Sequence, residues 1–263
     1  MEIKACIFDI DGTLVPFGDA APSPRTLRAL RAAQQKGIRV IIATGRALFS
    51  AKSVLDGFVP DYYVCANGGL VADRSGAAVQ KSDFTTEEMY ALVDFCEDYD
   101  LALDFIYDDG YYAYVEYAYF KEHYGPFQGN QGFLHDGENQ TRHRQSMPYG
   151  CSAFLSAAHR AQFSEKYAHL GLRFVSFHGD HCDVLRTDVD KAVVLTALLS
   201  RLGIGWEQVA AFGDGNNDVE MLQHAGLSVA MENGAQQTKQ TADIIAPAAS
   251  AEGVAQSMEQ YIL

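Results

Sequence analysis

Four aspartates follow two of the apolar runs in this sequence. Asp9 and Asp11 come directly after the first run, and Asp214 and Asp218 follow a run near the end of the chain. Because the carboxyl ends of parallel strands meet at one edge of a sheet, these acids are expected to lie close together. Such a cluster stays ionised only when a cation compensates it. Ligands that are all oxygen favour a hard ion, so the sequence predicts a Mg²⁺ site.

A lysine beside a Mg²⁺ site is typical of phosphoryl-transfer chemistry. Metal, ammonium and hydrogen-bond donors together meet the charge on the transferring oxygens, and Lys191 can supply the ammonium. An aspartate at a strand end can act as a nucleophile and form an aspartyl-phosphate. A second carboxylate two residues later could protonate the leaving alkoxide and then activate water.

The elements that must position these groups alternate between strand and helix. Short connections between them imply right-handed crossovers and a parallel sheet covered on both faces. The predicted fold class is therefore α/β, with a Rossmann-like, doubly wound parallel sheet. Buried strands are predicted over 3–8, 38–43, 62–66, 209–212 and 227–231, and helices over 23–37, 190–202, 219–224 and 252–263.

This alternation is interrupted in the middle of the chain. Residues 85–88 form a capping box that predicts the start of a helix, and 108–110 form an Asp-Asp-Gly turn typical of an antiparallel hairpin. Residues 125–150 are predicted to be a loop. The predicted domains are a core of residues 1–82 plus 184–263 and an inserted α+β domain of residues 83–183.

Charge and composition exclude several classes of partner. The 263 residues include 20 Lys and Arg against 34 Asp and Glu, a net charge of −14, and residues 83–183 alone carry 6 basic and 17 acidic residues. Nucleic acid and anionic lipid both bind basic surfaces, so neither is expected as a partner. We expect no membrane span, because no apolar run approaches 18 residues. We expect no secretory signal, because the first residues lack a basic segment followed by a long apolar stretch. Five scattered cysteines favour reduced thiols and a cytoplasmic location.

The motifs taken together resemble the haloacid dehalogenase superfamily, and within it the Cof-type sugar-phosphate phosphatases. The resemblance covers the whole chain, and it implies that the inserted domain is a cap of the C2 type. Residues 8–14 (Phe-Asp-Ile-Asp-Gly-Thr-Leu) are similar to motif I, Thr44-Gly-Arg46 to motif II, Lys191 to motif III, and 213–218 (Gly-Asp-Gly-Asn-Asn-Asp) to motif IV, while Asn67-Gly68 and Glu252-Gly253-Val254 also fit.

The resemblance implies a role for each acidic residue. Asp9 would be the nucleophile and a metal ligand. Asp11 would be the general acid/base, and its main-chain carbonyl would also bind the metal. Asp214 would be the third protein ligand, with Asp218 in or beside the metal shell.

Three further residues would hold the phosphate, namely Thr44, Lys191 and Asn217. The family usually has Pro-x-x-x-x-Lys-Gly around the motif III lysine. The segment from Arg186 to Ala192 has neither the proline nor the glycine, although the charge of the lysine is retained.

The implied function is a Mg²⁺-dependent phosphatase that hydrolyses small phosphorylated metabolites, in particular sugar phosphates, through an aspartyl-phosphate. It would act as a monomer or a small homo-oligomer. A phosphomutase of the same superfamily is one alternative. A non-catalytic phosphometabolite-binding module is another, and the presence of both Asp9 and Asp11 counts against it.

Two other features of the inserted segment favour structural roles. His178 and His181 could be taken for a transition-metal site, but they flank a predicted turn between two strands, where His and Asp are ordinary residues. The segment also holds eleven of the fourteen tyrosines, and packing is predicted for most of them.

Overall fold

The computed structural model describes residues 2–123 and 131–263, and the chain forms two compact units. Met1–Gln80 and Lys191–Leu263 make the first unit, and Lys81–Asp190 makes the second. The second unit therefore ends at Asp190 rather than at residue 183. The reason is that its last strand continues beyond that boundary, and the Thr187 N–H still donates to the Gly171 carbonyl of the same unit at 2.8 Å.

The helices and strands follow one another along the chain in three groups. Before the second unit come β1 (Ala5–Phe8), α1 (Pro24–Gln35), β2 (Arg39–Ala43), α2 (Leu48–Val54), β3 (Tyr62–Cys65), β4 (Leu70–Asp73) and β5 (Ala78–Lys81). The second unit contains α3 (Thr86–Asp98), β6 (Leu103–Ile106), β7 (Tyr111–Val115), α4 (Tyr117–His123), β8 (Leu134–Asp136), β9 (Gly150–Phe154), α5 (Ala157–Lys166), β10 (Leu172–His178) and β11 (His181–Arg186). After it come α6 (Lys191–Leu202), β12 (Val209–Gly213), α7 (Val219–His224), β13 (Leu227–Met231), α8 (Gln236–Thr241), β14 (Ile244–Ala246) and α9 (Gly253–Tyr261).

The sheet of the first unit is parallel from β14 to β3, in the order β14-β13-β12-β1-β2-β3. Strand β4 pairs with β3 in the antiparallel direction, and β5 follows β4 at the edge of the sheet. All four residues of β1 are fully buried, as expected for an apolar strand covered on both faces. Phe8 lies beside Phe212 on one neighbour and Ile42 on the other. The predicted α/β fold is confirmed, and the segments that follow these three strands emerge at one edge.

Helices of the first unit begin and pack as their sequences predict. Ser23 caps α1, since its Oγ accepts a hydrogen bond from the Thr26 N–H at 3.1 Å, and Pro24 stands at the first helical position. Helix α1 packs against α9, and α7 packs against both α6 and α8. None of the described helices has the length and apolar character that a membrane span requires.

The second unit is built on a sheet with the strand order β10-β11-β9-β6-β7-β8. Its pairs are antiparallel except for β7 with β8. Thr85 and Glu88 form the predicted capping box at the start of α3. Strand β8 lies in the predicted loop over 125–150, and part of that loop falls outside the described residues. The prediction of packing is confirmed for four tyrosines, which are almost completely buried: Tyr107, Tyr111, Tyr114 and Tyr149.

One carboxyl group is buried within the sheet of the second unit. Asp104, on β6, is inaccessible to solvent, and its Oδ1 accepts hydrogen bonds from the N–H and hydroxyl of Ser152 at 3.2 and 2.7 Å. Its Oδ2 is also buried and has no hydrogen-bond partner among the described residues. Burial raises the pKa of Asp104 to about 7, although the Ser152 bonds lower it. The second unit thus contains an acid that keeps its proton up to a higher pH than an aspartic acid in water does.

We predict that Asp104→Asn stabilises the protein in a pH-dependent way. The folded-state pKa lies above the unfolded value of about 3.9, so the native protein loses stability as the pH rises from about 4 to 7 and stays less stable above that range. The variant should therefore gain about 1–3 kcal/mol in the free energy of unfolding at pH 8, and much less at pH 4.5. Urea denaturation at the two pH values measures this difference.

The exposed Asp94 on α3 offers a matched control, because Asp94→Asn removes a charge that is already in water. That substitution should leave the pH dependence of stability as it is. A gain for Asp104→Asn that is equal at both pH values would show that the carboxyl does not titrate in the folded protein.

Candidate active site

Asp9 lies where β1 ends beside β12. Its N–H donates to the Phe212 carbonyl at 3.0 Å, which extends the pairing of the two strands by one residue. Gly12 follows with φ +81°, and a Cβ at that position would collide with Oδ2 of Asp214. The Asn233 side chain donates to the Gly12 carbonyl at 2.8 Å. The turn after β1 is therefore held close to the segment that follows β12.

Lys191 brings the start of α6 into this cluster of acids. The residue is 1% exposed, and its Nζ donates to Oδ1 of Asp9 and to Oδ1 of Asp218, both at 2.7 Å. Residues 182 positions apart in the chain thus form a buried ion pair. The structure places the predicted lysine between two of the predicted acids.

Lys191 reaches these carboxylates although its segment lacks the proline and the glycine of the family pattern. Arg186 forms two hydrogen bonds with the carboxylate of Asp188, each at 3.0 Å, and donates to the carbonyl of Asp83 at 3.3 Å. These bonds fix the segment that leads into α6. At Arg186 the chain is thus restrained by side-chain hydrogen bonds.

Asp214 and Asp218 are fixed by different donors. Thr13 donates to Oδ1 of Asp214 at 3.0 Å. Oδ2 of Asp218 accepts the N–H groups of Asp214 and Gly215 at 3.0 and 2.9 Å, and its Oδ1 is bound to Lys191. Both oxygens of Asp218 are therefore engaged, which favours a place beside a metal ion rather than direct ligation.

The charges in this cluster are only partly balanced. Burial raises the pKa of Asp9 well above its usual value, Lys191 lowers it, and the neighbouring acids Asp218, Asp214 and Asp11 raise it. Burial and the charge of Asp218 raise the pKa of Asp214 to about 7. Burial lowers the pKa of Lys191, but Asp218 and Asp9 raise it by more. The lysine alone does not relieve the repulsion among the carboxylates.

The arrangement of acids fits a divalent metal ion. Within the described part of the chain, Asp9, Asp214 and Asp218 form the one group of three or more His, Cys, Asp or Glu side chains that could hold a metal, with ligand atoms within 4.8 Å of one another. Three carboxylates and the ammonium of Lys191 leave a net charge of −2 when all are ionised. Oxygen ligands with this residual charge suit Mg²⁺.

Asp11 lies outside the group of possible metal-ligating side chains, because its carboxylate pairs with Arg46. Nε and Nη2 of Arg46 donate to the two oxygens of Asp11 at 2.8 and 2.6 Å, and Nη1 donates to Ser50 at 3.1 Å. The Thr-Gly-Arg motif predicted the loop of Arg46 but not this pair. A metal contact through the main-chain carbonyl of Asp11 stays a prediction.

Thr44 and Asn217 lie in the loops after β2 and β12. Thr44 is buried, and its Oγ1 accepts the N–H of Arg46 at 3.2 Å. Nδ2 of Asn217 donates to Oδ1 of Asn67 at 2.9 Å. Sequence reasoning noted Asn67 only within a family pattern, and neither composition nor spacing indicated that it contacts a predicted phosphate-binding residue.

His181 packs against an aromatic ring at the start of β11. Its ring stacks on Phe154 with centroids 4.8 Å apart and an interplanar angle of 20°. Burial lowers its pKa to about 4. This packing supports the predicted structural role of His181, whereas the side chain of His178 lies outside the described residues.

Known proteins share both the sequence and the fold of this chain. Residues 6–258 match the family model of haloacid dehalogenase-like hydrolases. The chain is 25% identical over 264 residues to 5-amino-6-(5-phospho-D-ribitylamino)uracil phosphatase YcsE of Bacillus subtilis, covering 100% of this chain and 97% of that protein. It is 27% identical over 274 residues to the chloroplastic endoribonuclease YBEY of Arabidopsis thaliana, covering 96% of this chain but only 45% of the plant protein.

Two solved structures have the same fold. A phosphatase from Bacteroides thetaiotaomicron superposes with a TM-score of 0.84 at 22% identity, covering 98% of this chain and 95% of the other. A sugar phosphatase of haloacid dehalogenase subclass IIB superposes with a TM-score of 0.82 at 24% identity, covering 98% of each chain. At this level of identity, the likeness supports the α/β fold with a cap domain.

We predict that Lys191→Met destabilises the protein, because Asp9 and Asp218 would then be buried without their shared cation. Removing one partner of a buried ion pair typically costs about 3–5 kcal/mol, so the free energy of unfolding without metal should fall by about 3 kcal/mol at pH 8. The loss should be smaller at pH 5, since burial raises the pKa of Asp9 and its carboxylate can then take up a proton. Urea denaturation at both pH values measures the effect.

Lys4→Met is the matched control, because Lys4 is exposed just before β1. The double substitution of Lys191→Met with Asp218→Asn should recover part of the loss, since one buried charge is then absent. Equal stability of Lys191→Met and the unmodified protein at pH 8 would contradict this account of the cluster.

Proposed function

The chain belongs to the haloacid dehalogenase-like hydrolase family and is a phosphatase of that family, and we propose that it hydrolyses small phosphorylated metabolites with Mg²⁺ through an aspartyl-phosphate on Asp9. One observation carries the proposal. Ligand atoms of Asp9, Asp214 and Asp218 lie within 4.8 Å of one another, and Asp9 and Asp218 share the ammonium of Lys191. A second carboxylate, Asp11, stands two residues from the proposed nucleophile. A binding module would need the cation site but not this pair of acids.

The first half of the reaction would form a phosphoryl-enzyme. A carboxylate oxygen of Asp9 attacks phosphorus, and the bond from phosphorus to the ester oxygen breaks. The leaving alkoxide takes a proton from the carboxylic acid of Asp11. Lys191, Thr44 and Asn217 would meet the charge on the other phosphoryl oxygens.

The second half would return the enzyme to its starting state. Asp11, now a carboxylate, takes a proton from water, and the water oxygen attacks the phosphorus of the aspartyl-phosphate. The bond from phosphorus to the Asp9 oxygen breaks, which releases inorganic phosphate and regenerates both side chains. The proton that Asp11 gives up in the first half is thereby replaced in the second.

Asp9 and Asp214 would hold the metal ion directly, with Asp218 beside it. Oδ2 of Asp9 accepts no hydrogen bond from the described residues, and Oδ2 of Asp214 has only the distant amide of Asn233 at 3.5 Å. When bound, Mg²⁺ would neutralise charge on the phosphoryl oxygens and on these carboxylates.

The pair between Asp11 and Arg46 sets a condition on this mechanism. Both oxygens of Asp11 accept hydrogen bonds from the guanidinium, so neither oxygen is available to a leaving group while the pair is intact. Asp11 can donate a proton only after it leaves Arg46. We therefore infer that substrate binding separates the two side chains before the leaving group departs.

Sugar phosphates are the proposed substrate class. YcsE is named for a phosphorylated ribityl compound, and one of the structural neighbours is a sugar phosphatase. The net charge of −11 over residues 83–183 would oppose ligands with several phosphates, whereas a monophosphate can be compensated by the metal and Lys191.

We predict that Asp9→Asn abolishes catalysis. With p-nitrophenyl phosphate and Mg²⁺, phosphate release should fall about a thousandfold or more, because the amide is not a competent nucleophile. Chelation of the metal by EDTA should reduce the activity of the unmodified enzyme to a similar level. Asp19→Asn, at an exposed position in the loop after β1, is the matched control and should retain activity. Full turnover by Asp9→Asn would rule out the proposed nucleophile.

We further predict that sugar monophosphates are hydrolysed with higher kcat/KM than the corresponding bisphosphates. The ratio of the two kcat/KM values should fall as ionic strength rises, because salt screens the acidic residues of the second unit. The measurement is kcat/KM, by phosphate release at low and high salt, for a panel of sugar phosphates, nucleotides and cofactor phosphates. Efficient turnover of bisphosphates at low salt would contradict the charge argument, and isotopic phosphoryl transfer within a hexose phosphate without phosphate release would identify a phosphomutase.

A further inference from the structure

The short connection between β3 and β4 has an unusual backbone. Ala66 and Asn67 have φ values of +48° and +51°, and Gly68 follows with φ +111°. We call these three residues the left-handed turn. Residues with a Cβ rarely adopt this conformation because it brings the Cβ close to the next carbonyl oxygen. Such strain persists only where surrounding contacts hold it, and it is common at functional sites.

Hydrogen bonds from the loop after β2 hold the left-handed turn in place. The N–H of Ala66 donates to the carbonyl of Arg46 at 2.9 Å, and the N–H of Asn67 donates to the carbonyl of Thr44 at 3.0 Å. All three residues of the turn are buried. The turn is therefore fixed to the loop that carries Thr44, a proposed phosphate-binding residue.

The side chain of Asn67 connects the same turn to a second phosphate-binding loop. Its Oδ1 accepts the bond from Nδ2 of Asn217 at 2.9 Å, across 150 positions of sequence. Asn67 is 1% exposed, so the acceptor end of this bond is shielded from water, whereas Asn217 is partly exposed. Helix α6, which begins at Lys191, also packs against the turn. Three elements that carry proposed phosphate-binding groups thus meet at one strained connection.

We propose that Asn67 is a positioning residue, which holds the amide of Asn217 at a fixed place relative to Thr44 so that both can bind the phosphoryl group. This inference rests on the proposed function for the identity of the ligand. Glycine at position 67 would allow the same backbone without strain, so the geometry of the turn alone does not require asparagine. Asparagine tolerates the left-handed conformation better than other residues with a Cβ, and its amide provides the acceptor.

The test compares Asn67→Gly with Asn67→Ala. Both remove the amide, but glycine relieves the backbone strain and alanine retains it. We expect Kd for inorganic phosphate, measured by calorimetry with Mg²⁺, and KM for p-nitrophenyl phosphate to rise about tenfold in both variants, the loss expected for one hydrogen bond. Changes in kcat should be small. The Tm should be higher for Asn67→Gly than for Asn67→Ala.

A double-mutant cycle tests whether Asn67 acts through Asn217. In an Asn217→Ala background, Asn67→Gly should cause no further rise in Kd or KM. Asp56→Gly is the matched control, because Asp56 has φ +48° in the same unit but lies in the exposed connection after α2. That variant should leave both constants unchanged.

Three results would overturn the proposal. Unchanged Kd and KM in Asn67→Gly would show that the amide of Asn67 is not needed for phosphate binding. Additive effects of the two substitutions would show that Asn67 does not act through Asn217. Binding that weakens in step with the fall in Tm would indicate a purely structural role. Phosphate binding by an unmodified protein without phosphatase activity would instead count against the proposed function and leave the calorimetric test of Asn67 in place.

Discussion

The first unit buries more negative charge than its own cation balances. Asp9, Asp214 and Asp218 are buried at one sheet edge, and Lys191 is the cation that shares its protons with two of them. Burial of three carboxylates beside one ammonium costs solvation energy that the ion pairs do not fully return. The protein by itself therefore leaves negative charge uncompensated at this edge of the sheet, and a bound cation would balance it.

The sheet topology makes this convergence possible. Because β1 lies between β2 and β12, the chain leaves three neighbouring strands at the same edge and delivers Asp9, Thr44 and Asp214 to one place. Glycine at position 12 lets the chain turn beside Asp214 where any side chain would collide with the carboxylate. The parallel order, rather than any local sequence, brings together residues about 200 positions apart.

The sequence predicted the site best where polar residues directly follow apolar strands of the parallel sheet. Apolar runs predicted the parallel strands, and the polar residues after them predicted the acids that the structure brings together around Lys191. The contacts of Arg46 and Asn67 could not be predicted, because they depend on which side chains meet across loops and not on periodicity. The end of the second unit at Asp190 depends likewise on hydrogen bonds made by Thr187 and Arg186. Strand β8 is three residues long, too short for an alternation of apolar residues to show.

The two units of this protein each contain a buried aspartate with a raised pKa, Asp214 in the first and Asp104 in the second. Their different surroundings show what a raised pKa indicates. Asp214 and Asp104 both reach a pKa of about 7, and burial is the largest cause for each. Among the described residues, Asp104 accepts bonds from Ser152 alone, and no cation or second acid there contributes to its shift. Asp214 stands among other carboxylates and near Lys191, where a bound cation would favour its ionised form. A raised pKa alone therefore does not identify a functional site, whereas the charged partners that converge on Asp214 support the proposal of a cation site there.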